Sequence, residues 1–144
     1  MERIVNDFQL NIATANGTGS QSANLILLHT MISMGVPVSG KNLFPSNISG
    51  LPTWYILRVS DRGYQAPGDR THIQIVMNKA TWEDDVADCL PGTLILFNED
   101  VKMPVDRDDC FVIGVPMTKM ARGLNPKLGR MLSNMIMWAY SQRF

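Results

Sequence analysis

Apolar and polar residues alternate through Phe8-Gln9-Leu10-Asn11-Ile12-Ala13, the period of a half-buried strand. The following stretch from Thr14 to Ser20 is small and contains Gly17 and Gly19, which predicts a tight strand-to-helix turn. From Ser22 to Met34 the chain is apolar on nearly every side, through Leu25, Ile26, Leu27, Leu28, Met31 and Ile32, and Gly35 is placed to stop a helix. Apolarity all round predicts a largely buried helix. Val36-Pro37-Val38 reads as a short second strand, which the proline confines to a sheet edge or a strand start.

Lys41 to Pro52 gathers Pro45, Gly50 and Pro52 among asparagines and serines and reads as an ordered loop, of the kind that often binds. Thr53 to Ser60 is rich in aromatic and β-branched residues, a strand closed by Asp61-Arg62-Gly63. Ile73 to Met77 is another strand. Thr81 then starts a helix, with Asp84 at the reciprocal capping position and Pro91-Gly92 as its end. Thr93 to Phe97 and Phe111 to Val115 are short apolar runs, as expected of strands covered on both faces. Asn125-Pro126 supplies an N-cap and a first-turn proline for a last helix, along which Leu128, Met131, Leu132, Met135, Ile136 and Ala139 form one stripe. Strands alternating with helices predict an α/β domain of three layers, Rossmann-like, with a mainly parallel central sheet.

The chain has 144 residues, suited to one domain over 1–144 with one core. Lys plus Arg and Asp plus Glu both number 13, so no global field draws it to nucleic acid or to an anionic membrane. Any bound anion must be held by local geometry. The first residues carry no targeting segment and no apolar run is long enough to span a bilayer, so the expected compartment is the cytoplasm. Cys89 and Cys110 are too few for an iron–sulfur cluster or a zinc site and are expected to be reduced core thiols. His29 and His72 lack neighbours at metal-ligand spacing, and no metal site is expected. Asp84, Asp85 and Asp88 read as the solvated acidic start of a helix, not an acid/base pair. Met77, Met131 and Met135 read as core. Ser20 and Ser22 lie in no Gly-x-Ser-x-Gly elbow, which argues against a hydrolase.

Asn16-Gly17-Thr18-Gly19-Ser20-Gln21-Ser22 lies between a strand and a helix, where backbone N–H groups and the helix dipole can hold a phosphate. A dinucleotide fingerprint wants glycine where Ser22 stands and an acid after the second strand, where Ser39-Gly40-Lys41 is found. Lys41 suits an extra phosphate on an adenosine ribose, as in NADP or coenzyme A, and does not suit NAD. Spacing alone leaves phosphate binding and a merely tight turn equally open.

The turn Asn16-Gly17-Thr18-Gly19-Ser20, with Phe44-Pro45-Ser46-Asn47-Ile48-Ser49-Gly50-Leu51-Pro52-Thr53-Trp54-Tyr55 after it, resembles the γ domain of 2-oxoacid:ferredoxin oxidoreductases. Gly114-Val115-Pro116-Met117 and Ser133-Asn134-Met135 resemble it too. The likeness is strongest to the form fused at the front of the α subunit in 2-oxoglutarate enzymes, and the chain is expected to be truncated or divergent after about Met137. The resemblance implies a component of a complex that decarboxylates a 2-oxoacid, passes electrons to ferredoxin and releases an acyl-coenzyme A. It places thiamine diphosphate, magnesium and the iron–sulfur clusters in partner α and β subunits, and implies that this domain is not catalytic alone. It assigns Gly17, Thr18, Gly19 and Ser20 to coenzyme A phosphates, Lys41 to a phosphate, and Ser46 and Asn47 to hydrogen bonds into the shared active site. Two rival expectations are a free-standing NADP-binding oxidoreductase domain and a scaffold paralogue that binds no nucleotide.

Overall fold

A computed structural model describes residues 7–44 and 49–125, together with Asn134. Its elements follow the order β1 Asp7–Ala15, α1 Ser20–Ser33, β2 Val38–Leu43, β3 Pro52–Ser60, β4 Ile73–Val76, α2 Trp82–Ala87, β5 Leu94–Asn98, β6 Phe111–Val115 and α3 Met117–Leu124. The strands make one sheet in the order β2-β3-β1-β4-β5-β6. Pairs β1–β4, β4–β5 and β5–β6 are parallel, whereas β3 runs against both β1 and β2. This is the expected α/β architecture with a mainly parallel sheet. The chain leaves β1 toward β2 and β3 on one side and returns to β4 on the other. The carboxyl ends of β1 and β4 therefore flank a topological switch point, where open α/β sheets bind ligands.

Strand periodicity divides the interior into two cores, one on each face. Leu10, Ile12, Tyr55, Leu57, Ile75, Leu96 and Val115 pack with Leu27 of α1 and Met117 of α3. On the opposite face Val76 and Ile95 pack with Val86, Cys89 and Met103. Both faces of β5 are thus covered, as its unbroken apolar run predicts. The equal run in β6 behaves differently, because β6 is an edge strand and Phe111 at its start stays 59% exposed.

Several expectations are corrected. In α1 only Ser20, Ala23, Asn24 and Leu27 are buried, while Leu25, Ile26 and Ile32 are exposed, so apolarity all round does not mean burial all round. The second strand begins at Val38, after Pro37, and runs through Lys41 to Leu43, taking the first residues of the expected loop. The capping box is not formed: the Thr81 hydroxyl donates to Asp85 Oδ2 at 2.7 Å, and α2 ends at Ala87, short of Pro91-Gly92. Asp85 is not solvated but 7% exposed, and its Oδ1 accepts the Trp54 indole N–H at 2.6 Å. Burial raises its carboxyl above the usual range, against the lowering by the Trp54 and Thr81 hydrogen bonds.

Helix α3 was not expected from the sequence pattern. The helix expected after Asn125-Pro126 lies outside the described residues, except that Asn134 is helical. Cys89 and Cys110 are free thiols; Cys89 is buried, and burial pushes it up to about 11, while Cys110 is half-buried.

Candidate functional site

The turn from β1 into α1 is shaped by two glycines in the left-handed region, Gly17 with φ 81° and Gly19 with φ 79°. Gly17 is also required by proximity, since a Cβ there would lie 2.5 Å from Ser49 Oγ. Ser49 is brought there because the β1–β3 pairing continues past the strand ends. Asn16 N–H donates to Leu51 O at 2.8 Å and Gly50 N–H to Asn16 O at 2.9 Å. The loop before β3 is thereby tied to the glycine turn, and the two motifs of the sequence meet.

Thr18 is held inward: its hydroxyl donates to Ala15 O at 2.7 Å, and its carbonyl accepts from Asn134 Nδ2 at 2.9 Å. Gly19 is the N-cap of α1 and offers no capping side chain, so the first-turn N–H groups keep the dipole field described for anion sites. Ser20 opens the helix and is buried against the sheet. The sequence of α1, SQSANLILLHTMIS, contains no Asp, Glu, Lys or Arg.

Beside the turn is a cavity of about 140 Å³. Asn16 and, from α1, Ser20, Gln21 and Asn24 form one side; Asn42, Phe44 and Thr53 of the β2–β3 hairpin form the other. Every polar lining group among the described residues is uncharged. Asn24 is 5% exposed, and on β1 Thr14 Oγ1 is buried without a partner.

Of the residues expected at the site, Gly17, Thr18, Gly19 and Ser20 are brought together, and only Ser20 lines the cavity. Lys41 is not brought there. A Cβ at its neighbour Gly40 would collide with the Tyr55 hydroxyl and meet Leu28 of α1, so Gly40 faces α1 and Lys41, pairing with Ile56, faces the other side. Ser46 and Asn47 lie outside the described residues.

The pattern passed over one feature of this edge. Asn78, just after β4, and Asn98, at the end of β5, each pin the turn that follows through Oδ1, Asn98 by accepting Asp100 N–H at 3.3 Å. Asn78 Nδ2 donates to Thr14 O at 3.2 Å while its Oδ1 accepts Ala80 N–H at 2.9 Å. Asn98 Nδ2 donates to Thr118 Oγ1 at 2.8 Å. The signal was an apolar residue followed by Asn, in Met77-Asn78 and Phe97-Asn98. Among the described residues no group of three or more His, Cys, Asp or Glu is placed to hold a metal.

Mixed-sheet α/β order with a glycine turn at the switch point defines a Rossmann-like domain. The sequence matches the family model described as pyruvate ferredoxin/flavodoxin oxidoreductase over residues 9–144, and the chain belongs to that family. Among curated proteins none matches. Among solved structures, the 2-oxoglutarate:ferredoxin oxidoreductase of Magnetococcus marinus, determined with 2-oxoglutarate, coenzyme A and succinyl-CoA bound, has a TM-score of 0.80 at 22% identity. That match covers 92% of this chain and 23% of that one, so the chain spans less than a quarter of its relative. A pyruvate oxidoreductase subunit, PORC, of Thermotoga maritima has a TM-score of 0.70 at 17% identity over 92% of this chain and 73% of that chain. The γ subunit of a keto/oxoacid ferredoxin oxidoreductase of Geobacter sulfurreducens PCA has 0.69 at 14% identity, over 88% and 70%. These likenesses establish the γ-subunit fold.

Proposed function

We propose that this chain is the γ-type component of a 2-oxoacid:ferredoxin oxidoreductase, of the 2-oxoglutarate kind, and that its glycine turn helps receive coenzyme A. The observation that carries the reading is the turn itself. Gly17 to Ser20 sits at the switch point of a γ-subunit fold, at the start of a helix without Asp, Glu, Lys or Arg, with the Ser49–Leu51 segment drawn against it. Helix N–H groups at such a place favour an anionic group such as a coenzyme phosphate. The bond-breaking steps belong to α and β partners, which carry thiamine diphosphate, magnesium and iron–sulfur clusters and pass electrons to ferredoxin, in the cytoplasm. This chain supplies binding and assembly. Lys41, on the opposite face, serves a phosphate only if a partner or a bound coenzyme wraps the β2 edge, and Ser46 and Asn47 remain assigned to the shared active site.

Calorimetric titration of the full chain with coenzyme A and with NADP tests the reading, repeated with Gly19→Val. A β-branched residue at φ 79° is strained by about 1–3 kcal/mol and distorts the turn. The expected result is coenzyme A binding that Gly19→Val weakens at least about tenfold while the thermal midpoint falls only modestly. NADP binding without coenzyme A binding would overturn the reading in favour of a nucleotide-dependent oxidoreductase domain.

A further inference from the structure

Away from the glycine turn, one pair of nucleophilic side chains has no part in the binding reading. Cys89 follows α2 and Cys110 immediately precedes β6; Cys89 belongs to the second apolar core and Cys110 packs against it. Backbone bonds fix the two segments together. Gly92 N–H donates to Asp109 O at 2.7 Å, and Phe111 N–H donates to Thr93 O at 3.0 Å. Arg107 clamps the same pair of segments, its Nη2 donating to Cys89 O at 2.8 Å and to Asp109 Oδ2 at 2.9 Å. The Cys110 thiol donates at 3.6 Å to Leu90 O, the carbonyl of the residue after Cys89.

The two thiols differ in access. Cys110 is half-buried, whereas Cys89 is 5% exposed and donates to Asp85 O at 3.2 Å. Burial pushes Cys89 up to about 11, so at neutral pH it remains a thiol and does not open an attack. An electrophile arriving from solvent meets Cys110 first.

We propose that Cys110 and Cys89 form a reversible thiol–disulfide exchange site whose substrate is a low-molecular-weight disulfide. The Cys110 thiol gives its proton to water, and the thiolate attacks one sulfur of the small disulfide. That S–S bond breaks, and the first small thiolate leaves with its electron pair and takes up a proton. Cys89 then gives its proton to water and attacks the Cys110 sulfur, breaking the mixed disulfide and releasing the second small thiol in the same way. Two protein thiols are oxidised to one disulfide, and the small disulfide is reduced to two thiols. The Arg107 guanidinium, bonded to Cys89 O, favours the thiolate that Cys89 forms in the second step. Both thiols are free in the structure, the state a reducing compartment maintains, and the pair closes when the small-disulfide pool becomes oxidised. The bridge joins the segment after α2 to the start of β6 and encloses all of β5.

The test incubates the full chain with oxidised glutathione, quenches by alkylation and reads wild type, Cys89→Ala and Cys110→Ser by mass spectrometry. The expected wild-type product is a monomer lighter by about 2 Da, with both thiols lost and no glutathione retained. Trypsin should then release fragments 80–102 and 108–119 as one joined species that a dithiol reductant separates. Cys89→Ala should stop at the mixed disulfide on Cys110, and Cys110→Ser should leave Cys89 unmodified. The wild-type result stands whether or not either variant folds. A wild type that keeps one glutathione on Cys110 while Cys89 stays free would overturn the proposal. So would two thiols that both survive the oxidant, or a bridge found only between two chains.

Discussion

Ile95 and Leu96 are neighbours on β5, point to opposite faces and are both 0% exposed. On β1 the equivalent neighbours are Asn11 and Ile12, and only Ile12 meets an apolar core. The half around β5 and β6 therefore buries hydrocarbon on both sides, while the half around β3, β1 and β4 buries hydrocarbon beneath α1 and carries buried amides on the other face. Gln9 and Gln74 are 5% and 2% exposed there. The segment between β3 and β4 supplies the bonding of Gln9 and is itself tied to β2. Gly68 N–H donates to Gln9 Oε1 at 2.8 Å, Gln9 Nε2 donates to Thr71 Oγ1 at 3.3 Å, and the Ser39 hydroxyl donates to Gln65 O at 2.7 Å. A sheet face can thus be closed by a loop, provided its side chains are polar enough to hold loop backbone. That closure is incomplete, because the register partners Asn11 and Gln74 leave Asn11 Oδ1 and Gln74 Nε2 without partners.

The largest expected contrast follows from removing volume in one half and polarity in the other. Leu96→Ala leaves a void in a close-packed site and is expected to cost about 2–5 kcal/mol in urea unfolding. Gln74→Leu deletes a buried donor that has nothing to bond, and is expected to be near neutral or stabilising. Equal losses at the two positions would show that the amide face is as finely packed as the apolar one, and would break the comparison.

How far the sequence discloses this arrangement depends on the range of the interactions. Alternation in β1 and the unbroken run in β5 are local, and both read correctly. Helix α3 was missed because Met117 to Leu124 follows β6 across a single residue, Pro116, although Met117, Met120, Ala121 and Leu124 recur at helical spacing. The buried carboxylate was missed because Glu83, Asp84 and Asp85 look alike along the chain. Only a contact with Trp54, 31 residues earlier, sets Asp85 apart. The site divides in the same way. Two glycines between a strand and a helix announce a turn, but the cavity's carboxamides come from Asn16, α1 and the β2–β3 hairpin, where each asparagine reads only as turn or helix chemistry.

The Asp85–Trp54 bond joins the two halves, linking α2 to β3, and gives an intermediate effect. Trp54→Phe keeps the ring but leaves the Asp85 carboxylate with one donor fewer, an expected loss of about 1–3 kcal/mol at neutral pH. Because burial raises this carboxyl, the folded protein holds the proton more tightly than the unfolded chain. Its stabilising contribution is therefore full below the ordinary value of 3.8 and is lost as pH rises through the raised one. Removing the Trp54 donor raises the carboxyl further, so the variant should lose stability over a wider span of rising pH. Thermal midpoints across the acid range check this, and parallel curves for wild type and Trp54→Phe would count against it.

The smallest expected effect has the opposite sign and belongs to the polar half. His72 Nδ1 accepts the Gln9 N–H at 3.1 Å, and His72 N–H donates to Gln9 O at 2.9 Å, so one residue closes the β1–β4 seam with a neutral imidazole. Burial, and then the charges of Arg70 and Arg58, lower its pKa, against a smaller opposing influence from Asp7. The unfolded chain then takes up a proton first as pH falls. The contribution of His72 is complete above the ordinary 6.5 and is lost as pH drops through the lowered value. Where Asp85 makes stability fall with rising pH, His72 makes it rise, in a window that begins just below neutrality. His72→Asn keeps an acceptor near the Nδ1 position and deletes the titration. Its melting temperature should match wild type at pH of about 8 and exceed it at pH of about 5, by a margin that added salt reduces as it screens the two arginines. A variant equally destabilised at both pH values would mean that the ring's packing, rather than its neutrality, holds the seam.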